Sequence, residues 1–170
     1  MRGEIFISTA LLVTMTSPIE AMYTQCGDEK MPDCIFCSIV DGETPGRIVH
    51  EDEETLAFLD ANPLAKGHTL VIPKTHHERV NDLPGDIAGA IGRAIAIVAP
   101  AVEDAVDAPA STISYNNGEA AGQEVPHVHA HVVPRSPGDG GQPIHALFSD
   151  RPELSNTQLD EVAERITERA

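Results

Sequence analysis

The feature that most constrains the fold is the heptapeptide 127–133, His-Val-His-Ala-His-Val-Val, in which histidine alternates with apolar residues. Successive side chains of a β-strand point to opposite faces. A strand here therefore places three imidazoles on one face and Val128, Ala130 and Val132 on the other. The apolar face needs a core, and three adjacent imidazoles are costly to bury without a task. The pattern predicts a strand with one structural face and one face for chemistry.

Two simpler interpretations of the heptapeptide stay open at this point. The first is a solvent-exposed strand face with incidental histidines, although exposed strands rarely select histidine three times in register. The second is a metal site made of the three histidines alone. Alternate strand positions are spaced widely for one tetrahedral ion, which weighs against it.

The rest of the chain is patterned as an α+β domain. Apolar spacing and turn residues predict an antiparallel sheet of about five strands, a long helix that opens at Asp86, and a C-terminal helix from Ser155 or Asn156. Pro100 is expected to kink or split the long helix. The predicted strands are 47–51, 55–60, 68–73, 112–117 and 127–133, the last ended by Pro134, and a short helix is predicted at 34–40.

Charge excludes several classes of partner. Asp and Glu number 27 against 11 Lys and Arg, a net charge of −16, which argues against nucleic acid and anionic membranes as partners. Only three of the cations are lysine. An acidic, lysine-poor surface suits a halophile, because the screening length is about 3 Å at 1 M salt and the repulsion between the acidic charges is weak there. An acidic mesophilic protein is the alternative. No run of about 18 apolar residues is present, so we expect no membrane span.

The 170 residues are enough for one domain with an appendage. Residues 31–34, Met-Pro-Asp-Cys, have the form of a natural start. We therefore interpret 1–31 as an N-terminal extension that is disordered or belongs to a misassigned start, with a signal peptide as the alternative. Residues 32–150 are predicted to form the domain, and 151–170 a C-terminal helix packed on it. Three cysteines do not make a secreted disulfide framework, which favours the cytoplasm.

The heptapeptide resembles the signature of the histidine triad (HIT) family of nucleotide hydrolases and transferases. Other stretches are similar to the family in order and spacing, and the resemblance covers residues 34–135. It implies a HIT-like fold, a nucleotide substrate and a homodimer. The matching stretches are Phe58–Asp60, Gly67–Lys74 with His76, Asn116–Gly118 with Ala121–Gln123, and Val133–Arg135.

The catalytic roles follow from the resemblance, and imidazole chemistry agrees with them. A neutral imidazole attacks phosphorus without a strong base, while its neighbours stabilise charge on the phosphate oxygens. The resemblance implies that His129 is the nucleophile and that water hydrolyses the resulting nucleotidyl-histidine. It implies that His131 contacts the α-phosphate. It also implies that His68 orients the triad, whose first member is His127. Taken by itself, His68 is better explained as a satisfied histidine at the end of a buried strand, and it is the presence of the triad that favours the active-site role.

The same resemblance assigns the substrate contacts. Asp60 is implied to accept hydrogen bonds from the ribose hydroxyls, a role that a carboxylate can fill. Asn116 is implied to contact the phosphate or the leaving group. Gly122 and Gln123 match the phosphate-side loop, where backbone N–H groups approach an anion. From the residues alone, Asp60 could instead cap a loop and Asn116 form a turn.

One position departs from the family. Many relatives have Ser or Thr after the loop glutamine, whereas this chain has Glu124. A carboxylate there repels a polyphosphate and removes a donor to the leaving group. Substrates with an amine leaving group therefore become less certain, and substrates with a phosphoanhydride leaving group are favoured relative to them. We expect Lys66, Arg135 and screening by salt to help the acidic chain attract a polyanion.

Cys34-x-x-Cys37 supplies half of a tetrahedral zinc site. A redox pair and two buried helix cysteines are the alternatives. The resemblance implies that His76 and His127 complete a closed Cys₂His₂ site with structural zinc, and His77 is an adjacent competitor for the third position.

These inferences converge on a cytoplasmic hydrolase. It is predicted to cleave nucleoside phosphoramidates or dinucleoside polyphosphates at the α-phosphorus through His129. A nucleotidyltransferase or phosphorylase would use the same intermediate. A nucleotide-binding interaction protein with little turnover is the third possibility.

Overall fold

The computed structural model describes residues 33–147, 149–150 and 152–170. The interpretation of residues 1–31 therefore lies outside the described residues. The elements in chain order are α1 (Ile35–Val40), β1 (Ile48–Glu51), β2 (Thr55–Leu59), β3 (Thr69–Pro73), α2 (Gly85–Val106), β4 (Ala110–Ser114), β5 (Ala130–Arg135) and α3 (Asn156–Thr167).

The five strands form one antiparallel sheet in the order β1-β2-β3-β5-β4. The predicted α+β class, the five-stranded antiparallel sheet, the long helix and the C-terminal helix are all confirmed. The two apolar strands β2 and β3 pair along their full length and are almost wholly buried. Both faces of the sheet centre are therefore covered.

The two sides of the sheet pack against different helices because side chains alternate along each strand. On one side, Ala57 and Val71 join Val128, Ala130 and Val132 in a core with the buried face of α2. On the other side, an apolar cluster is built around helix α1. Its members are Cys34, Phe36, Cys37, Leu56, Phe58, Leu70 and Ile72.

Helix α2 runs unbroken through Pro100, so of the two expected effects of this proline, a kink or a split, the split does not occur. Pro100 is exposed, and the preceding turn contains exposed Ala96. The carbonyl that loses its N–H partner there can bond to water, while buried Val98 and Val102 hold both halves to the sheet. By length and hydropathy α2 could cross a membrane, but this packing identifies it as the core helix of the domain.

The strand that carries the histidines begins later than expected. β5 starts at Ala130 and continues through Pro134 to Arg135. Its pairing with β3 ends at Val132, so Pro134 has a strand neighbour on one side only, where a missing N–H is tolerated. β4 is likewise shifted to 110–114 from the predicted 112–117.

Ser155 caps helix α3, and its side chain and that of Gln158 form a reciprocal capping box. The predicted helix is therefore confirmed. Every residue of 156–167 is exposed, so its predicted packing on the domain stays a prediction.

The core gives a first test. Ile91 is 1% exposed in the core beneath the sheet, so Ile91→Ala should lower the free energy of unfolding by about 2–5 kcal/mol. The matched control is Ile144→Ala at a 69% exposed isoleucine, expected to change it by less than about 0.5 kcal/mol. Urea denaturation in molar KCl measures both, and equal losses would contradict the assigned core.

Candidate active site and metal-binding cluster

The histidines of the heptapeptide lie on the α1 side of the sheet, opposite the apolar residues that pack against α2. His129 is 8% exposed, and its Nδ1 donates a 2.6 Å hydrogen bond to the carbonyl of His127. The proton is thereby fixed on Nδ1, which leaves the lone pair on Nε2. Phe36 packs edge-to-face on the His129 ring at 5.2 Å, so the orientation of the ring is fixed from two directions.

His131 is oriented by a chain of hydrogen bonds through His68. The backbone N–H of Leu64 donates to His68 Nδ1 at 3.2 Å, and His68 Nε2 lies 3.0 Å from His131 Nδ1. Because His68 Nδ1 accepts, its Nε2 carries the proton and donates to His131. His131 then carries its own proton on Nε2. That atom is buried and has no partner within the described part of the chain.

Burial favours the neutral form of His131 and of His68. Removal from water, together with the neighbouring His129 and His68, lowers the pKa of His131 to about 4, although nearby Asp60 opposes the shift. Burial also lowers the pKa of His68, although nearby Asp60 opposes that shift. At neutral pH His131 is therefore a neutral hydrogen-bond donor.

A cavity of about 560 Å³ opens in front of His129 and His131. Of the predicted substrate residues, the structure brings Asp60, Asn116 and Gly122 to this cavity. An oxygen of Asp60 lies 3.3 Å from His68 Nδ1, and Asn116 donates from Nδ2 to the Gly122 carbonyl at 3.3 Å. Glu124 lines the same cavity.

Gln123 lies outside this cavity, which departs from its expected place at the phosphate. Its side chain accepts from the Gly118 N–H at 2.7 Å and donates to the carbonyls of Glu78 and Val125. The amide is therefore occupied with shaping the loop. His127 also has no place at the cavity, because both of its ring nitrogens are engaged elsewhere.

Several lining residues carried no recognised sequence signal. Arg47 is the cation that lines the cavity. The two cations that were predicted to help attract a polyanion do not line this cavity. Lys66 borders a separate groove, and Arg135 is held by Asp139 at 2.7 Å. The apolar wall comes mainly from the helix that carries the cysteines and from two strands; it comprises Ile35, Phe36, Ile39, Phe58 and Leu70. Apolar spacing was the available clue for the three residues of that helix, whereas Phe58 and Leu70 lie in predicted strands and in stretches that resemble the family.

Beside the cavity, Cys34, Cys37, His76 and His127 form a cluster whose ligand atoms all lie within 4.8 Å of one another. The S···N distances are 3.5 and 3.7 Å from the two sulfurs to His127 Nδ1, and 3.4 Å from Cys37 to His76 Nδ1. Tetrahedral zinc, with bonds of about 2.3 Å to sulfur and 2.0–2.1 Å to nitrogen, requires an S···N separation of about 3.6 Å. The donor set fits this metal.

The orientation of His127 supports the same conclusion. Its Nε2 donates to the Pro73 carbonyl at 2.9 Å, which directs the lone pair of Nδ1 toward the sulfurs. Such an outer hydrogen bond is typical of metal-ligating histidines. The ring of His77 instead lies 3.1 Å from the Thr75 hydroxyl, and His77 is not part of the cluster.

The His131 environment predicts a pH effect on stability. The unfolded chain protonates this histidine near pH 6.5 but the fold only near 4, so between those values the unfolded state binds more protons. The free energy of unfolding should fall as pH drops through this window. His131→Asn, measured by urea denaturation at pH 7, 5.5 and 4.5 with chelator present, should show a shallower fall than wild type. Equal slopes would contradict the assignment.

Several known proteins are similar to this chain in sequence and fold. The HIT domain profile matches residues 41–138. An uncharacterized HIT-like protein of Methanocaldococcus jannaschii is 44% identical over 138 residues, covering 78% of this chain and 98% of its own. The adenylylsulfatase HINT3 of Arabidopsis thaliana is 37% identical over 107 residues, covering 63% of this chain and 54% of its own.

Two crystal structures are similar throughout the domain. A Streptococcus mutans protein superposes with a TM-score of 0.75 at 39% identity, covering 82% of this chain and 87% of its own. A zinc-bound histidine triad family protein from Mycobacterium smegmatis superposes with a TM-score of 0.61 at 34% identity, covering 81% and 98%. With a matching profile, similar sequences and a common fold, this chain belongs to the HIT family.

Proposed function

We propose that this protein is a hydrolase of nucleoside 5′-phosphate derivatives, either phosphoramidates or dinucleoside polyphosphates, that acts at the α-phosphorus. The observation that carries the proposal is the His129 imidazole. Its Nδ1 proton is fixed on a backbone carbonyl, and the ring borders a cavity shared with His131 and Asp60.

The proposed reaction has two steps. The Nε2 lone pair of His129 attacks the α-phosphorus, and the bond from phosphorus to the leaving group breaks with its electron pair on the leaving group, which takes up a proton. Water then attacks phosphorus and gives up a proton, which balances the one taken up by the leaving group. The N–P bond breaks with its electron pair on Nε2 of His129, and the nucleoside monophosphate is released. The Nδ1–H bond to the His127 carbonyl stabilises the positive charge that the ring acquires.

His131 serves as the donor to the phosphate in this proposal. Its unpartnered Nε2–H is suited to a non-bridging oxygen whose charge grows in the transition state. His68 is a positioning residue, because it sets the His131 tautomer through the 3.0 Å hydrogen bond. His127 contributes its backbone carbonyl.

The cavity offers a contact for each part of a nucleotide. We assign the ribose hydroxyls to Asp60 and the flat base to the apolar wall that includes Phe36. We assign Asn116 and the backbone at Gly122 to the phosphate side, and Arg47 supplies positive charge at the cavity. Gln123 supports the loop. One relative is by name an adenylylsulfatase, which supports a nucleotidyl substrate.

The Cys₂His₂ cluster is proposed to hold structural zinc. All four ligands of a closed site come from the protein, so the ion would secure α1 to the sheet and would not activate water. A zinc-bound family member supports this assignment. A homodimer in the cytoplasm of a halophile, with no nucleic-acid or membrane partner, remains the proposed setting.

A second candidate is a nucleotide-binding protein with little turnover. Glu124 at the cavity is the observation that favours it, because a carboxylate near the phosphates opposes charge development in the transition state. The experiment that follows separates this candidate from the hydrolase.

The covalent step is tested by mass spectrometry of intact protein after brief mixing with adenosine 5′-phosphoramidate or diadenosine tetraphosphate in molar KCl. Wild type should gain the mass of one nucleotidyl group. His129→Ala should show no adduct and a kcat lower by at least about 10³-fold, whereas the exposed-histidine control His145→Ala should behave as wild type.

Each alternative outcome has a meaning. Product without an adduct in wild type would contradict the nucleophile. Nucleotide binding without adduct or product would favour the low-turnover candidate. Release of nucleoside diphosphate when inorganic phosphate is added would identify a phosphorylase.

Zinc content is a separate test. Purified protein should contain one zinc per chain, and Cys37→Ala should lose most of it because a three-ligand remnant binds zinc more weakly. The matched control Cys26→Ala should keep it. Elemental analysis measures the content, and a chelator should lower the Tm of wild type but not that of Cys37→Ala. Retained zinc in Cys37→Ala would contradict the site.

A further inference from the structure

The second step of the proposed reaction requires a group that takes a proton from water. When the nucleotidyl group is bonded to Nε2 of His129, the water that attacks phosphorus must lose a proton. A side chain beside that water accelerates the step if it can accept the proton, and this requires a lone pair that is not already in use. The hydrogen bonds at the cavity therefore determine which side chain can act as the base.

None of the three histidines that line the cavity has such a lone pair in the intermediate. The Nε2 lone pair of His129 forms the N–P bond, and its Nδ1–H donates to the His127 carbonyl at 2.6 Å. His131 accepts at Nδ1 from His68 and carries its proton on Nε2. His68 accepts at Nδ1 from the backbone N–H of Leu64 and donates from Nε2. All six ring nitrogens are thus donors, occupied acceptors or bonded to phosphorus.

Two carboxylates line the same cavity, and one of them is already engaged. Asp60 accepts from the Asn62 N–H at 2.8 Å through Oδ1, and its Oδ2 lies 3.3 Å from His68 Nδ1. Glu124 is exposed and has no hydrogen bond or ion pair to any residue that the structure describes. Both of its carboxylate oxygens are therefore available as acceptors. Arg47, the remaining charged residue of the lining, has no acceptor.

The backbone on both sides of Glu124 is held in place. The Gln123 side chain accepts from the Gly118 N–H at 2.7 Å and donates to the carbonyls of Glu78 and Val125. Val125 is half-buried against the apolar cluster around α1. Glu124 is therefore an unpartnered carboxylate on a fixed piece of loop, which is the arrangement that a base needs in order to stay within reach of a bound water.

Glu124 lies between the cavity and solvent. Glu124 and Gly122 line both the cavity and a second hollow of about 670 Å³, which we call the outer hollow and which also includes Arg79 and Glu119. Water attacks phosphorus on the side that the leaving group has vacated, because the entering and leaving groups are roughly in line. Since the Gly122 backbone is assigned to the phosphate side, Glu124 is placed where water can enter and a proton can leave.

We propose that the Glu124 carboxylate is the general base of the second step. It takes a proton from water while the water oxygen forms a bond to phosphorus, and the N–P bond breaks with its electron pair on Nε2 of His129. Glu124 then releases the proton to solvent through the outer hollow, which replaces the proton that the leaving group took up. The inference rests on the proposed hydrolase function and adds a catalytic residue to it.

This role gives the carboxylate opposite effects on the two steps. In the first step its negative charge opposes the approach of a polyphosphate. In the second step it accepts the proton that the histidines cannot take. The amide of Glu124→Gln keeps the shape of the side chain and removes both the charge and the basic oxygen, so this variant should separate the two steps.

The test is rapid-quench mixing in 1 M KCl with protein in excess over diadenosine tetraphosphate, followed by mass spectrometry of the intact chain. The rise of the nucleotidyl adduct reports the first step, and its decay reports the second. Glu124→Gln should form the adduct at least as fast as wild type and hydrolyse it at least about 10²-fold more slowly. The matched control Glu119→Gln changes an exposed carboxylate that lines only the outer hollow, and it should behave as wild type.

Azide distinguishes a missing base from a misplaced phosphate. Azide attacks phosphorus without losing a proton, so it needs no base; the P–N bond to azide forms as the bond to His129 breaks with its electron pair on Nε2. Glu124→Gln should therefore form the nucleotidyl azide at least as fast as wild type. An adduct of Glu124→Gln that resists azide as well as water would overturn the assignment of Glu124 as a base.

The remaining outcomes separate this inference from the function on which it rests. Equal decay of the adduct in wild type and Glu124→Gln would overturn the base and leave the hydrolase proposal intact. A loss confined to adduct formation would place Glu124 in the first step and would overturn the base as well. Product without an adduct in either protein would overturn the nucleophile, and the role of Glu124 with it.

Discussion

Burial of Val128, Ala130 and Val132 against α2 is the contact on which the candidate active site depends. Because side chains alternate in extended chain, covering these three residues turns His127, His129 and His131 to the other side. A shift of one residue would exchange the two sets and bury imidazoles in the aliphatic core. The hydrophobic effect therefore sets the register, and the three histidines of the candidate active site lie on the opposite face.

His127 connects the cluster of two cysteines and two histidines to the candidate nucleophile. Its ring lies between the cysteine sulfurs and the Pro73 carbonyl, while its own carbonyl accepts the Nδ1 proton of His129. Phe36 is part of the same unit, because it lies on the helix between the cysteines and packs on both histidine rings. Anything that fixes α1 to the sheet therefore also fixes the orientation of the His129 ring.

Most of the fold was predictable because it follows from local periodicity and turn residues. The hairpin of β1 and β2, the apolar strand β3 and the capped α3 all lie close to their predicted positions. The helix is not split at Pro100, because on an exposed helix face water can bond to the carbonyl that lacks an N–H partner. The start of β5 was misplaced because pairing with β3 and β4 sets strand ends, and pairing is not visible in one segment.

The sequence by itself determined which residue types are available, the alternation that puts three imidazoles on one face, and the two half-sites for a metal on separate segments. Only the tertiary structure decided the proton positions, since the tautomers of His129 and His131 depend on the His127 carbonyl and on the Leu64 N–H acting through His68. It also decided that Arg47 reaches the cavity while Arg135 is tied to Asp139. Hydrogen bonds and charges act over a few ångströms between residues far apart in the chain, so their effect is fixed only when the backbone brings them together.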